Sequence, residues 1–207
     1  MVKFGSATVA AVVLAMVMPA HAASITKKYS YFSVRGATLA ELEKDLIRRG
    51  PKVNSTGQRH PGATQMEFET SVSYAQSKRH CRIEEATVLI KAKIFLPRWR
   101  TRRRADRETR IVWDTLSADI KRHEESHVII AKNHGREIEQ ALEAMGRAKT
   151  CEALEQKGQK VMARILQKHD RAQEKFDRVE GINFEARMLR LLKYRLERIE
   201  NGRLDGG

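Results

Sequence analysis

Cysteine is nearly absent from this chain of 207 residues, with only Cys81 and Cys151. Two sulfurs so far apart cannot build a cysteine-based zinc site by themselves. Long hydrophobic runs are also missing beyond the first two dozen residues, which excludes a polytopic membrane protein. Aromatic residues make up 6% of the chain, yet 41% of it is hydrophobic, enough for a real core and too much for a disordered tail. Negative charge is in deficit: 40 Lys+Arg face 26 Asp+Glu, a formal net charge of +14. A surface of that sign attracts anions such as nucleic acid, acidic glycolipid or anionic membrane, and charge alone does not choose among them.

The one apolar run, Ala7 to Met18, follows Lys3 and ends at Pro19, with small residues at Ala20 and Ala22. These are the parts of an export signal, so residues 1–22 read as a signal peptide and 23–207 as a single domain acting in the periplasm or outside the cell. In such an oxidising compartment the two cysteines pair, giving a disulfide Cys81 to Cys151.

Tyr29, Tyr31, Phe32 and Val34 predict a strand ending at Gly36, and Thr38 caps a helix that Gly50-Pro51 stops. Met66, Phe68, Val72 and Tyr74 alternate with polar residues, and a second alternation runs from Ile83 to Pro97. These two strands are expected to pair as an antiparallel hairpin around Ser77 to His80. From about Asp106 the apolar period becomes helical to near Gly146, again from Cys151 to about Val179, and finally from Phe184 to about Ile199. Strands first and helices afterwards define an α+β fold.

Inside the first long helix lies His123-Glu124-Glu125-Ser126-His127, an H-E-x-x-H pattern. Histidines at i and i+4 are about 6 Å apart along one helical face, so both imidazoles reach one ion. Glu124 is then placed as general base towards a zinc-activated water. At 100° per residue, Leu116, Ile120, His123, His127, His134, Ile138 and Met145 share a side, while Lys121, Arg122 and Glu125 point elsewhere.

The chain resembles a bacterial family described as predicted secreted zinc-dependent proteases of unknown function. The features that carry the resemblance are the leader, Tyr31 to Gly36, Gly50-Pro51, Cys81, Pro97-x-Trp99, Trp113, the HEESH helix, Cys151, and the segment Phe176-Asp177-Arg178-Val179-Glu180-Gly181-Ile182-Asn183. It implies a zincin-like fold carrying Zn2+ and acting on a peptide or protein substrate. Where the family has a late histidine this chain has Ile182, which cannot bind zinc. A catalytic site needs three protein ligands, and Glu180 is the favoured substitute. His134 lies about 10.5 Å beyond His127 on a straight helix, too far to share its ion, and is expected to line a cleft. Glu137, Glu139, His169 and Glu185 remain further candidates.

Arg98, Arg100, Arg102, Arg103 and Arg104 precede the metal helix and interleave with Trp99. Such a block stays in water, and its functional reading is an anion-binding segment facing an anionic envelope surface, with Trp99 at a lipid or sugar. No nucleic-acid recognition motif accompanies it, so no nucleic-acid partner is expected. A non-catalytic envelope protein holding anionic polymers or lipids through these arginines is the alternative to a peptidase. Asn54-Ser55-Thr56 matches a glycosylation sequon, and nothing in the pattern specifies an oligomeric state.

Overall fold

The computed structural model describes residues 23–53 and 57–204, so the leader and the sequon fall outside the described residues. Strand β1 (Ser24–Val34) leads to helix α1 (Leu39–Arg49), and strands β2 (Ala63–Gln76) and β3 (Cys81–Trp99) follow. A short 3-10 turn (Arg102–Arg104) precedes the helices α2 (Arg107–Glu143), α3 (Cys151–Ile182) and α4 (Phe184–Glu200). The fold is mixed α+β, strands first and helices afterwards, as the pattern predicts. Among the described residues, no helix is long and apolar enough to cross a membrane.

The sheet has three strands in the order β1-β3-β2. β2 and β3 form the expected antiparallel hairpin, closed at Ser77, whose N–H donates to the His80 carbonyl at 2.8 Å. The first strand begins five residues before the aromatic cluster that signals it and lies parallel to β3, with Ser24 opposite Leu89 and Val34 opposite Trp99. Period two puts Val88, Ile90, Ala92, Ile94 and Leu96 on one face of β3, all buried, and α2 packs against that face. Lys91 and Lys93 stand on the other face, in water.

β1 does not reach the first half of β3, and α2 covers the edge left open. There Glu139 Oε1 accepts the Val88 N–H at 2.7 Å, and Cys81 and Ala148 exchange two backbone hydrogen bonds. Glu139 is therefore a buried structural acid, since a free strand edge under a helix would leave donors without water. The predicted disulfide is present: Cys81 and Cys151 are bonded with their Cα atoms 5.1 Å apart, joining the start of β3 to the start of α3 across 70 residues.

Trp99 is not a surface aromatic. It is buried at 8% exposure against Trp113, with ring centroids 5.4 Å apart, and its indole N–H donates to the Gly36 carbonyl at 2.9 Å. A Trp at the end of a central strand covers the core because its side-chain direction is set by the strand and not by the arginines beside it. Arg98, Arg100, Arg103 and Arg104 do remain exposed, whereas Arg102 turns back to Asp114 at 2.7 Å.

Candidate metal centre

Asp106 caps α2, its carboxylate accepting the Thr109 N–H at 2.7 Å. The helix then lays Ile120, Glu124, Val128, Ala131, Ile138 and Leu142 on the sheet, a buried stripe at helical spacing. The motif straddles the edge of that stripe. Glu124 sits beneath the sheet's border at 5% exposure, and His123 and His127, turned about 100° and 60° from it around the axis, face α3.

The two imidazoles meet edge to face, with Nε2 of one 3.1 Å from Nε2 of the other. Phe176 of α3 stacks on His123 at 5.0 Å between centroids and sets its edge against His127 at 5.2 Å. The next residue, Asp177, brings Oδ1 to 3.2 Å from His123 Nε2 and 3.1 Å from His127 Nε2. Three ligand atoms thus converge from two helices, and His123, His127 and Asp177 form a group that could hold a metal ion.

Burial pushes the Asp177 carboxyl up, but the two histidines outweigh it and hold that group well below the usual carboxylate range. For His127 burial works downwards and is overcome by Asp177 and Gln173, which raise it. Glu124 is raised by burial, partly offset by Thr64, whose hydroxyl lies 2.8 Å from Glu124 Oε2.

Glu180 is near the centre but on its far side. Its carboxylate is engaged by Arg122 and by Arg187 of α4, and its Oε2 lies 3.6 Å from Nδ1 of His123, behind the ring. The acid that meets both Nε2 atoms is Asp177, one turn earlier. Arg122, expected to point away, bends back to Asp119 at 2.8 Å as well as to Glu180, while Glu125 does face outwards and accepts the Tyr29 hydroxyl at 2.5 Å.

A cleft of about 470 Å³ opens over the group. Its floor is α2, one wall is the entry to β2 at Gly62 to Thr64, and the other is the α3–α4 corner with Phe184 and Arg187. Gly62 makes this approach close: a Cβ there would lie 2.6 Å from Glu124 Oε1 and 2.9 Å from Ile120 Cγ2. The wall carrying Thr64 therefore rests on the carboxylate itself.

His134 does not line the cleft; its Nδ1 lies 2.9 Å from the Ile130 carbonyl, a contact within its own helix. Glu137 pairs with Lys168 at 2.5 Å, Glu139 caps the sheet edge, and Glu185 is exposed. His169 is buried and reaches the centre only through Gln173, whose Nε2 is 2.7 Å from His169 Nε2 and whose Oε1 is 2.6 Å from His127 Nδ1. Sequence reasoning passed over Asp177 and Gln173. The signal was present as a stripe: His169, Gln173, Phe176, Asp177 and Glu180 recur at helical spacing on α3, facing the histidine flank of α2.

Residues 29–185 match the family described as Bacterial protein of unknown function (DUF922), and the chain belongs to it. No curated protein and no solved structure matches.

Proposed function

We propose that the protein is an exported zinc-dependent metallopeptidase of zincin-like design, with His123, His127 and Asp177 as ligands and Glu124 as general base. The observation that carries the reading is the mutual spacing of the three ligand atoms, 3.1–3.2 Å. Bonds of about 2.0–2.1 Å in a tetrahedron place neighbouring ligand atoms about 3.3 Å apart, so the group fits a small tetrahedral ion with little movement. Two imidazoles and one carboxylate are the donor set of a catalytic rather than a structural zinc, and all three residues line the cleft.

A zinc ion bound there supplies Lewis acidity, polarising a carbonyl and making a water acidic near neutral pH. With such an ion in place, Glu124 would be the residue that accepts a proton from water and returns it to the leaving amine. Burial raises its pKa towards the working range of such a base, and Thr64 fixes its orientation. Phe176 shields one face of both imidazoles, and the wall at Gly62 to Thr64 bounds the cleft in which an extended peptide would lie. The test is cleavage of a mixed peptide library by the chain from Ala23 with and without a zinc chelator. Hydrolysis should disappear with the chelator and fall by on the order of a thousandfold or more in Glu124→Gln, which should keep its metal. Hydrolysis that persists in Glu124→Gln would overturn the assignment.

A second reading rests on the exposed arginines 98, 100, 103 and 104 at the end of β3 and the turn after it. In it the chain is a non-catalytic envelope protein that uses this segment to hold anionic polymers or lipids. Binding to anionic vesicles that is lost when the four are changed to Ser, in a protein that cleaves nothing, would favour it.

A further inference from the structure

We propose that Gln173 is a positioning residue for the metal centre, that it fixes the tautomer of His127, and that buried His169 in turn fixes Gln173. The inference rests on the metal-site reading above and adds the parts that aim one of its ligands.

Gln173 projects from α3, one turn before Asp177, between three acceptors or donors. Its Nε2 lies 3.1 Å from the backbone carbonyl of His127 and 2.7 Å from His169 Nε2, and its Oε1 lies 2.6 Å from His127 Nδ1. A backbone carbonyl can only accept, so the atom facing it is the NH2 end of the amide. That single contact sets the direction of every other bond in the chain. With NH2 turned to the carbonyl and to His169, the amide oxygen faces His127 Nδ1, which must donate. Nε2 of His127 is then the ring atom that faces Asp177 and His123, the one whose lone pair becomes available to a metal when its proton is given up.

The same logic runs outwards. His169 Nε2 accepts from Gln173, so its proton sits on Nδ1, 3.1 Å from Asp170 Oδ1. His169 is 7% exposed and set edge-on to Phe68 at 5.1 Å between centroids, so it has little room to rotate and offer another atom. A polar ring buried in this way is explained by the amide it holds. Asp170, His169, Gln173 and His127 form one directed line that ends at the ligand atom.

Two measurements test this. In protein labelled with 15N-histidine, long-range 1H–15N correlations at neutral pH should show His169 as the neutral tautomer protonated at Nδ1, with Nε2 bare. In a chelator competition, Gln173→Met, close in shape but unable to accept from Nδ1, should bind zinc about 10–100-fold more weakly. Its metal-free thermal midpoint should stay within a few degrees of wild type. His169 protonated at Nε2, or zinc bound as tightly by Gln173→Met as by wild type, would overturn the proposal. If the variant does not fold, the tautomer of His169 in the wild type decides alone. Wild-type protein that binds no zinc would instead remove the metal-site reading, while the tautomer would still report whether the hydrogen-bonded line exists.

Discussion

Helices α2 and α3 each bring part of the group that could hold a metal ion, and they are held in different ways. α2 lies on the sheet along most of its length and buries thirteen of its residues, so His123 and His127 stand on a floor that cannot shift without opening the core. α3 buries four residues, Leu154, Gly158, Ile165 and His169, and Asp177, about two turns beyond the last of them, has more than half of its side chain in water. The floor carries the two histidines of the group, and the wall carries its acid on a segment held by polar contacts: Gln173 on His127 and Glu180 on Arg122 and Arg187. An ion bound by all three residues would itself tie the wall to the floor.

The sharpest way to break the comparison is to cut the covalent anchor of the wall. Cys151→Ser removes the bond that ties α3 to β3, and the loop-entropy estimate for a crosslink spanning 70 residues is about 4 kcal/mol. Denaturant unfolding under oxidising conditions should show a loss of that order, and a loss below about 1 kcal/mol would mean that packing alone holds α3. Hydrogen exchange reads the two helices directly. In the metal-free protein, amides of residues 170–182 should exchange on the order of tenfold faster than those of 116–142, and zinc should slow the first group selectively. Equal protection would erase the distinction between floor and wall.

Smaller effects sharpen it. Gly62→Ala forces a methyl onto Glu124 and Ile120 and should cost about 1–3 kcal/mol in thermal or denaturant unfolding. Zinc content should not change, because the clash falls on Glu124 and Ile120 and not on the three proposed ligands. Asp45, on α1, serves as a control that shares no contact with the three proposed ligands. Burial would raise its carboxyl, but Arg48, the Arg35 N–H and Arg49 outweigh that and hold it at about 2. A depressed acid contributes stability that is complete above its unfolded value near 4 and is lost as pH falls through about 2. Asp45→Asn should therefore be less stable than wild type by about 2 kcal/mol at neutral pH, with the gap closing between pH 4 and 2. Metal binding should be the same in both.

Much of this was legible in the chain. Alternation marks the hairpin, Ser77 to His80 its turn, and the change to a helical apolar period near Asp106 and from Cys151 marks the starts of α2 and α3. His123, Glu124 and His127 declare themselves by spacing. The parallel docking of β1 was not legible, since local pattern sets a strand and not its partner. Neither was the choice between Asp177 and Glu180. The two are three residues apart on one helix, about 60° apart in projection, and which of them meets the histidines depends on how α3 is rotated against α2. That rotation is set by Leu154, Ile165 and the disulfide, far along the helix from either acid.

The most direct test of the site is bound zinc per chain, by elemental analysis, in wild type, Asp177→Ala and Glu180→Ala. Near one zinc in wild type, a loss in Asp177→Ala and retention in Glu180→Ala is the result the geometry predicts. Zinc kept by Asp177→Ala and lost by Glu180→Ala would contradict it, and would mean that Glu180 leaves its arginines to become the third ligand.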